Sequence, residues 1–105
     1  MAELHVRDVP EFRRFEITVD GELAGFAVYM RRPGLIDFLH TEIDPRFEGR
    51  GVGSTLIAAA LDAARVEGLD VIPHCPFVRA YLQRHPELVD LVPAARRAAF
   101  GLSAP

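Results

Sequence analysis

The chain has 105 residues, of which 50% are hydrophobic and 26% charged, with a formal net charge of −3. That describes one globular domain with a single core, and the acidic balance excludes nucleic-acid or anionic-membrane binding driven by overall charge. The longest uncharged runs, residues 51–61 and 98–105, are too short to span a bilayer, and Glu3, His5 and Arg7 leave no apolar signal core.

Elements follow in chain order. Phe15, Ile17 and Val19 alternate with Glu16 and Thr18, which predicts a strand from about Phe12. Asp20-Gly21 follows at once, a strong hairpin signal, with a return strand over residues 22–31 and a bulge at Gly25. Pro33-Gly34 marks a second turn, and residues 35–43 form a third strand. After Asp44-Pro45 the period changes. Val52, Leu56, Ala60 and Ala64 recur at helical spacing over residues 51–67, and Gly68 sits where a C-terminal cap belongs. Residues 69–72 read as a short buried strand. Residues 77–85 read as a second helix, with Pro76 at its entrance. The Ala- and Arg-rich tail after Pro93 is a weak helix or frayed. The order is β-β-β-α-β-α, an α/β (α+β) domain with one mixed, mostly antiparallel sheet. Its core covers about residues 12–92, with flexible termini.

Two absences limit the chemistry. All 12 basic residues are arginine, so neither a P-loop lysine nor a Schiff-base lysine exists. Cys75 is the single cysteine, which excludes an intrachain disulfide, a thiolate-rich zinc site and a redox pair. No metal is expected, and the expected compartment is the cytoplasm.

The stretch Gly49, Arg50, Gly51, Val52, Gly53 and Ser54 lies between a strand and a helix. Glycines there let an anion approach the backbone, and the first amides of a helix have no internal partner. The same glycines also serve a helix start that needs close packing. The spacing and the position after three antiparallel strands fit a dinucleotide fingerprint poorly. A pyrophosphate on a mixed-sheet fold remains.

The run from Phe47 to Leu56 resembles the acyl-CoA motif of the GNAT acyltransferase superfamily, in which a basic or amide residue precedes G-x-G/A. Asp20-Gly21-Glu22, His40-Thr41-Glu42-Ile43 and Pro73-His74-Cys75-Pro76-Phe77 strengthen the likeness to its short, single-domain members. The resemblance covers about residues 12–92. It implies a sheet whose third and fourth predicted strands splay into a V. It also implies acetyl-CoA as co-substrate and acetyl transfer to an amine by direct attack, with backbone amides stabilising the charged carbonyl oxygen. Pantetheine would run along Thr41 and Ile43, with the pyrophosphate on residues 49–54. Glu48 stands where the motif has a basic or amide residue, and it is expected to point to solvent. The helical pair that covers the acceptor in longer members is absent.

Candidate catalytic residues follow. His40 and Glu42 are two apart on one strand and share a face. Glu42 is the expected base, with His40 as partner or alternative; both types also occur as ordinary strand-end residues. By the resemblance, Tyr81 protonates the leaving thiolate, although packing with Phe77 and Leu82 explains it equally. Cys75, before a helix start, either takes the acetyl group, lines the site or is a small buried residue. Arg79 and Arg84 could meet a phosphate or an acidic acceptor. The expected partner is an amine, small or protein-borne, and the chain a monomer or weak homodimer that binds neither nucleic acid nor membrane. Two rivals stand beside the enzyme: a CoA-binding sensor or adaptor without turnover, and a structural domain whose glycines serve only the turn.

Overall fold

The computed structural model describes residues 2–102. Five strands form one sheet in the order β1-β2-β3-β4-β5. They are β1 (Leu4–Val9), β2 (Arg14–Val19), β3 (Glu22–Arg32), β4 (Leu35–Ile43) and β5 (Asp70–Pro73). Neighbours run antiparallel up to β4, and β5 lies parallel to β4. Helix α1 (Val52–Glu67) makes the crossover, and α2 (Pro76–Arg84) follows β5. The expected β-β-β-α-β-α order is present, and β1 is added ahead of it.

That first strand pairs along its whole length with β2. Its alternation is weak in the sequence because Asp8 occupies the inward row with Leu4 and Val6. The β2–β3 turn is as expected, with Asp20 at φ 49° and Gly21 at φ 84°, a two-residue turn whose twist matches the flanking strands. The β2–β3 bulge falls on Ala24 rather than Gly25: Ile17 pairs with Gly25 and Thr18 with Leu23. Gly25 is small for a different reason. A Cβ there would lie 2.6 Å from the Glu42 carbonyl oxygen and from the Ile43 side chain.

One face of the sheet is packed under the helices. Phe15, Ile17, Ala27, Tyr29, Ile36 and Phe38 are buried there with Leu56, Ile57, Ala60 and Leu61 of α1 and Val78 and Leu82 of α2. Each large aliphatic side chain so buried contributes about 1.5–3 kcal/mol. Helix α1 ends on Gly68, whose amide and that of Leu69 return to the Ala64 carbonyl. The tail forms short 3₁₀ turns at Ala94–Arg96 and Ala98–Phe100, and Phe100 and Leu102 are buried. The core therefore extends beyond residue 92. Its Phe100 ring meets His74 edge-on at 5.3 Å, and His74 Nδ1 lies 2.8 Å from Asp37 Oδ1.

Candidate functional site

The site begins where β4 loses its parallel partner. The β4–β5 ladder runs from Leu35 with Asp70 to Phe38 with Pro73, and the Cys75 amide then donates to the Phe38 carbonyl at 2.8 Å. Beyond that point β4 continues to Ile43, while the chain after β5 turns into α2. A second bulge accompanies the change: Tyr29 pairs with Phe38 and Val28 with His40, so Leu39 is the extra residue.

Alternation of the antiparallel ladder assigns the backbone groups of this free stretch. Asp44 donates to the Ala24 carbonyl at 2.8 Å, and Tyr29 donates to Arg13, so Ala24, Phe26 and Val28 are the β3 residues that bond to β4. Their partners Glu42 and His40 turn their backbone groups toward β3. Thr41 and Ile43, paired with Ala27 and Gly25, turn theirs away from β3 into the gap. An extended ligand lying there would meet a strand edge with free donors and acceptors.

The glycine-rich loop closes one end of this gap. Gly51 is the N-cap of α1 at φ 73° and Gly49 has φ 78°, so both backbones hold the left-handed conformation that favours glycine. Gly53 serves closeness instead: a Cβ there would meet the Phe77 ring at 2.6 Å. Ile43, Phe47, Glu48, Gly51, Ser54 and Phe77 are among the residues lining a groove of about 310 Å³. Thr55 Oγ1 donates back to the Gly51 carbonyl at 2.9 Å. The amides at this end of α1 supply the hydrogen-bond donors and partial positive charge that suit a phosphate group.

Charges around the groove are unevenly committed. Arg46 is bound by Glu22 at 2.8 Å and Asp44 at 3.0 Å, and its hydrogen bonds hold the Asp44 carboxyl below its usual range. Arg50 makes no ion pair among the described residues, and its guanidinium lies 5.4 Å from the Phe47 ring centre. It is the cation nearest in sequence to the glycines that has no internal acid. Glu48 is exposed as expected, yet it also lines the groove.

His40 and Glu42 lie side by side, His40 Nε2 3.6 Å from Glu42 Oε1, both on the sheet face away from the helices. Each is 60% exposed. Cys75 is on the opposite side, 2% exposed, its Sγ 3.3 Å from Thr41 Oγ1. Tyr81 is buried on α2, its ring stacked on His85 at 4.1 Å, and it does not line the phosphate-loop groove. Arg79 reaches back to the His74 carbonyl, while Arg84 lies 6.0 Å from the Tyr81 ring centre. The structure thus brings Ile43 and the loop together in one groove, places Thr41 on the same free strand edge, sets His40 and Glu42 on the other face of the sheet, and keeps Tyr81 out of that groove's lining.

Phe77 is the groove residue whose place the sequence reading did not give. A glycine in the second position of a helix was its available signal, because such a position seldom needs glycine for conformation. Among the described residues no group of three or more His, Cys, Asp or Glu side chains is assembled to hold a metal ion, and no helix is long and apolar enough to cross a membrane.

Comparison with known proteins gives one family. A model described as GCN5-related N-acetyl-transferase matches residues 14–91, most of the chain. No curated protein matches it. The matched span runs from β2 to the turn after α2 and includes the splayed strands, the glycine loop and the His40–Glu42 pair. The chain belongs to the GCN5-related N-acetyltransferase family, and its fold is that of a GNAT-like domain.

Proposed function

We propose that the protein transfers an acetyl group from acetyl-CoA directly to an amine. The observation that carries this reading is the continuity of the unpaired Thr41–Ile43 edge with the groove at the start of α1. A pantetheine amide chain suits the first and a pyrophosphate the second. The residues fit the co-substrate: free edge groups, left-handed glycines, helix amides and an unpaired Arg50. Glu48 is the one opposing charge. Bound acetyl-CoA supplies an activated thioester whose sulfur leaves readily.

The chain's own task is to position the amine and take its proton. An ammonium with a pKa near 10.4 costs about 4.6 kcal/mol to neutralise at pH 7, against about 1 kcal/mol for one near 7.8. Glu42 is the proposed base, directly or through a water, with His40 3.6 Å away to share the proton. The amine nitrogen bonds to the carbonyl carbon, the carbon–sulfur bond breaks, and the thiolate leaves with the electron pair. Positioning of the two substrates supplies much of the acceleration. Cys75, buried against Thr41, lines the gap and is not needed as an acyl carrier. Tyr81 is the proposed acid that returns a proton to the departing thiolate, and Tyr81→Phe tests that role.

Calorimetric titration with acetyl-CoA tests the reading, repeated with Gly51→Glu. Saturable binding in the native protein, lost in the variant while its fold persists by circular dichroism, supports it. Acetylation of amines is then compared for Glu42→Gln, His40→Ala and Tyr81→Phe. A second reading, a CoA-binding sensor without turnover, is favoured by Glu48 in the groove and by the uncovered sheet face. It predicts binding with no acetylation of any amine and no effect of these substitutions. No binding of acetyl-CoA at millimolar concentration sinks both.

A further inference from the structure

We propose that the free edge of β1 pairs with β1 of a second copy, antiparallel about a two-fold axis at His5, and so joins two five-stranded sheets into one. The proposal does not rest on the transferase reading.

β1 is an edge strand, bonded to β2 alone. The Glu3 amide donates to Asp20 Oδ1 at 2.8 Å, and the Glu3 carbonyl accepts from the Asp20 amide at 2.9 Å. Glu3 therefore continues the ladder one residue ahead of β1. Alternation then turns the backbone groups of Glu3, His5 and Arg7 toward β2 and those of Leu4, Val6 and Asp8 toward the free edge. Natural edges are commonly blunted by proline, lysine or a bulge. Between Leu4 and Val9 there is neither proline nor lysine, and the register with β2 runs unbroken.

The order Glu3-Leu4-His5-Val6-Arg7 is complementary to itself when reversed. With His5 opposite His5 of the second copy, Glu3 lies opposite its Arg7 and Arg7 opposite its Glu3. Leu4 and Val6 exchange backbone bonds with its Val6 and Leu4. On the outer face opposite charges meet, which favours the pair. On the inner face Leu4 and Val6, half-buried and packed against the core, continue one apolar row across the junction. Both charges are available for this. Glu3 enters no ion pair among the described residues, its amide alone being bound by Asp20. Arg7 is 66% exposed and reaches Glu16 only at 4.0 Å, while Arg14 holds that carboxylate at 2.8 Å.

Other registers are worse. Centring on Val6 sets Leu4 against the Asp8 carboxylate, which Tyr29 and Arg31 already hold, and parts Glu3 from Arg7. Centring on Arg7 sets two guanidiniums opposite one another, and centring on Leu4 takes Glu3 away from Arg7. The interface is isologous, because one strand serves both copies. Its axis lies along the sheet normal, so the outer faces share one side and both His40–Glu42 pairs open toward it.

Sedimentation equilibrium of the full chain from about 20 µM to about 1 mM tests the pairing, with amide exchange followed by nuclear magnetic resonance at both ends. The mass is expected to rise from monomer toward dimer. The Leu4 and Val6 amides should become protected at the higher concentration, whereas those of His5 and Arg7, bonded to β2, are protected at both. Glu3→Arg and Arg7→Glu each set like charges opposite one another and should weaken association at least about tenfold. An equimolar mixture of the two variants should restore it, which a loss of fold cannot imitate. A monomer mass at about 1 mM, or a dimer whose Leu4 and Val6 amides still exchange freely, overturns the proposal. So do single variants that associate like the native chain, or a mixture that stays monomeric although both variants are folded by circular dichroism. Should either variant not fold, the amide protection of the native chain decides.

Discussion

The Cys75 amide donates to the Phe38 carbonyl at 2.8 Å, and this bond fastens the entrance of α2 to the place where β4 and β5 cease to pair. Three residues further along β4, Thr41 Oγ1 lies 3.3 Å from Cys75 Sγ. One residue thus spans the mouth of the gap through its backbone and its side chain. The thiol is held inside rather than presented.

Cys75→Ala is expected to cost about 1–2 kcal/mol of stability, the lower end of what shortening a buried side chain costs. Transfer to an amine is expected to stay within about threefold of native. The native thiol should react slowly with iodoacetamide and rapidly once urea unfolds the chain, because 2% exposure leaves little access. A loss of kcat beyond about a hundredfold, with the fold intact, would establish a chemical role for the thiol.

The two glycines of the loop should respond differently to the same change. At Gly51 a Cβ meets nothing within 4 Å, but φ is 73°. Gly51→Ala is therefore expected to lose about 1–2 kcal/mol of stability from the backbone alone. At Gly53 the backbone is helical, and alanine gains about 1 kcal/mol of helix propensity while displacing the Phe77 ring. Stability should change little and acetyl-CoA affinity should fall by about three- to tenfold as the ring moves into the groove. Phe77→Ala in the Gly53→Ala background should then show a smaller additional effect than Phe77→Ala alone. Equal, additive effects in a calorimetric double-mutant cycle would separate the two residues.

Arg50 offers a charge-specific test of the same groove. Its guanidinium has no acid partner among the described residues, so removing it disturbs no internal ion pair. Arg50→Ala is expected to leave the melting temperature nearly unchanged and to weaken acetyl-CoA several-fold at low salt, less at high salt. Glu48→Gln should act in the opposite direction, strengthening binding and bringing the loop nearer to the family motif. Unchanged affinity in both variants would remove the phosphate from this loop.

Much of this arrangement is legible in the sequence because it rests on local rules. Asp20-Gly21 dictates a turn whatever surrounds it, and the Ala-Leu period with Gly68 delimits α1 to within a residue. His40 and Glu42 share a face because the strand period is two. The bulge at Leu39 falls before both of them and leaves their relation intact. What escaped depends on distant partners. Leu4 and Val6 form a strand only because β2 offers an edge, and Phe100 is buried only because His74 and α2 stand beside it. Tyr81 and Cys75 are both buried, through packing that no single segment encodes. The placement of Glu16, Phe26 and Glu42 abreast needs the register of three strands, which no window of sequence contains.

Tyr29 gives a prediction on the side of the molecule that takes no part in the site. Its hydroxyl donates to Asp8, which also holds Arg31 at 2.7 Å, and Arg31 continues to Glu67 of α1 at 2.8 Å. Burial, then the hydrogen bond to Asp8, raises the phenol above its usual value, and Arg31 opposes this. Because the folded value exceeds the unfolded one, the contribution is complete below about pH 10 and is lost as pH rises through the folded value. Tyrosinate absorbance should therefore show a phenol ionising later than a free one, and Tyr29→Phe should remove that late step. Urea unfolding should show a stability decline above pH 10 that is shallower in Tyr29→Phe. At neutral pH that variant is expected to lose about 1.5–3 kcal/mol, the worth of a hydrogen bond to a charged group. If the Tyr29 phenol ionises at the free value, Asp8 does not hold it, and the link from β1 through β3 to α1 rests on Arg31 alone.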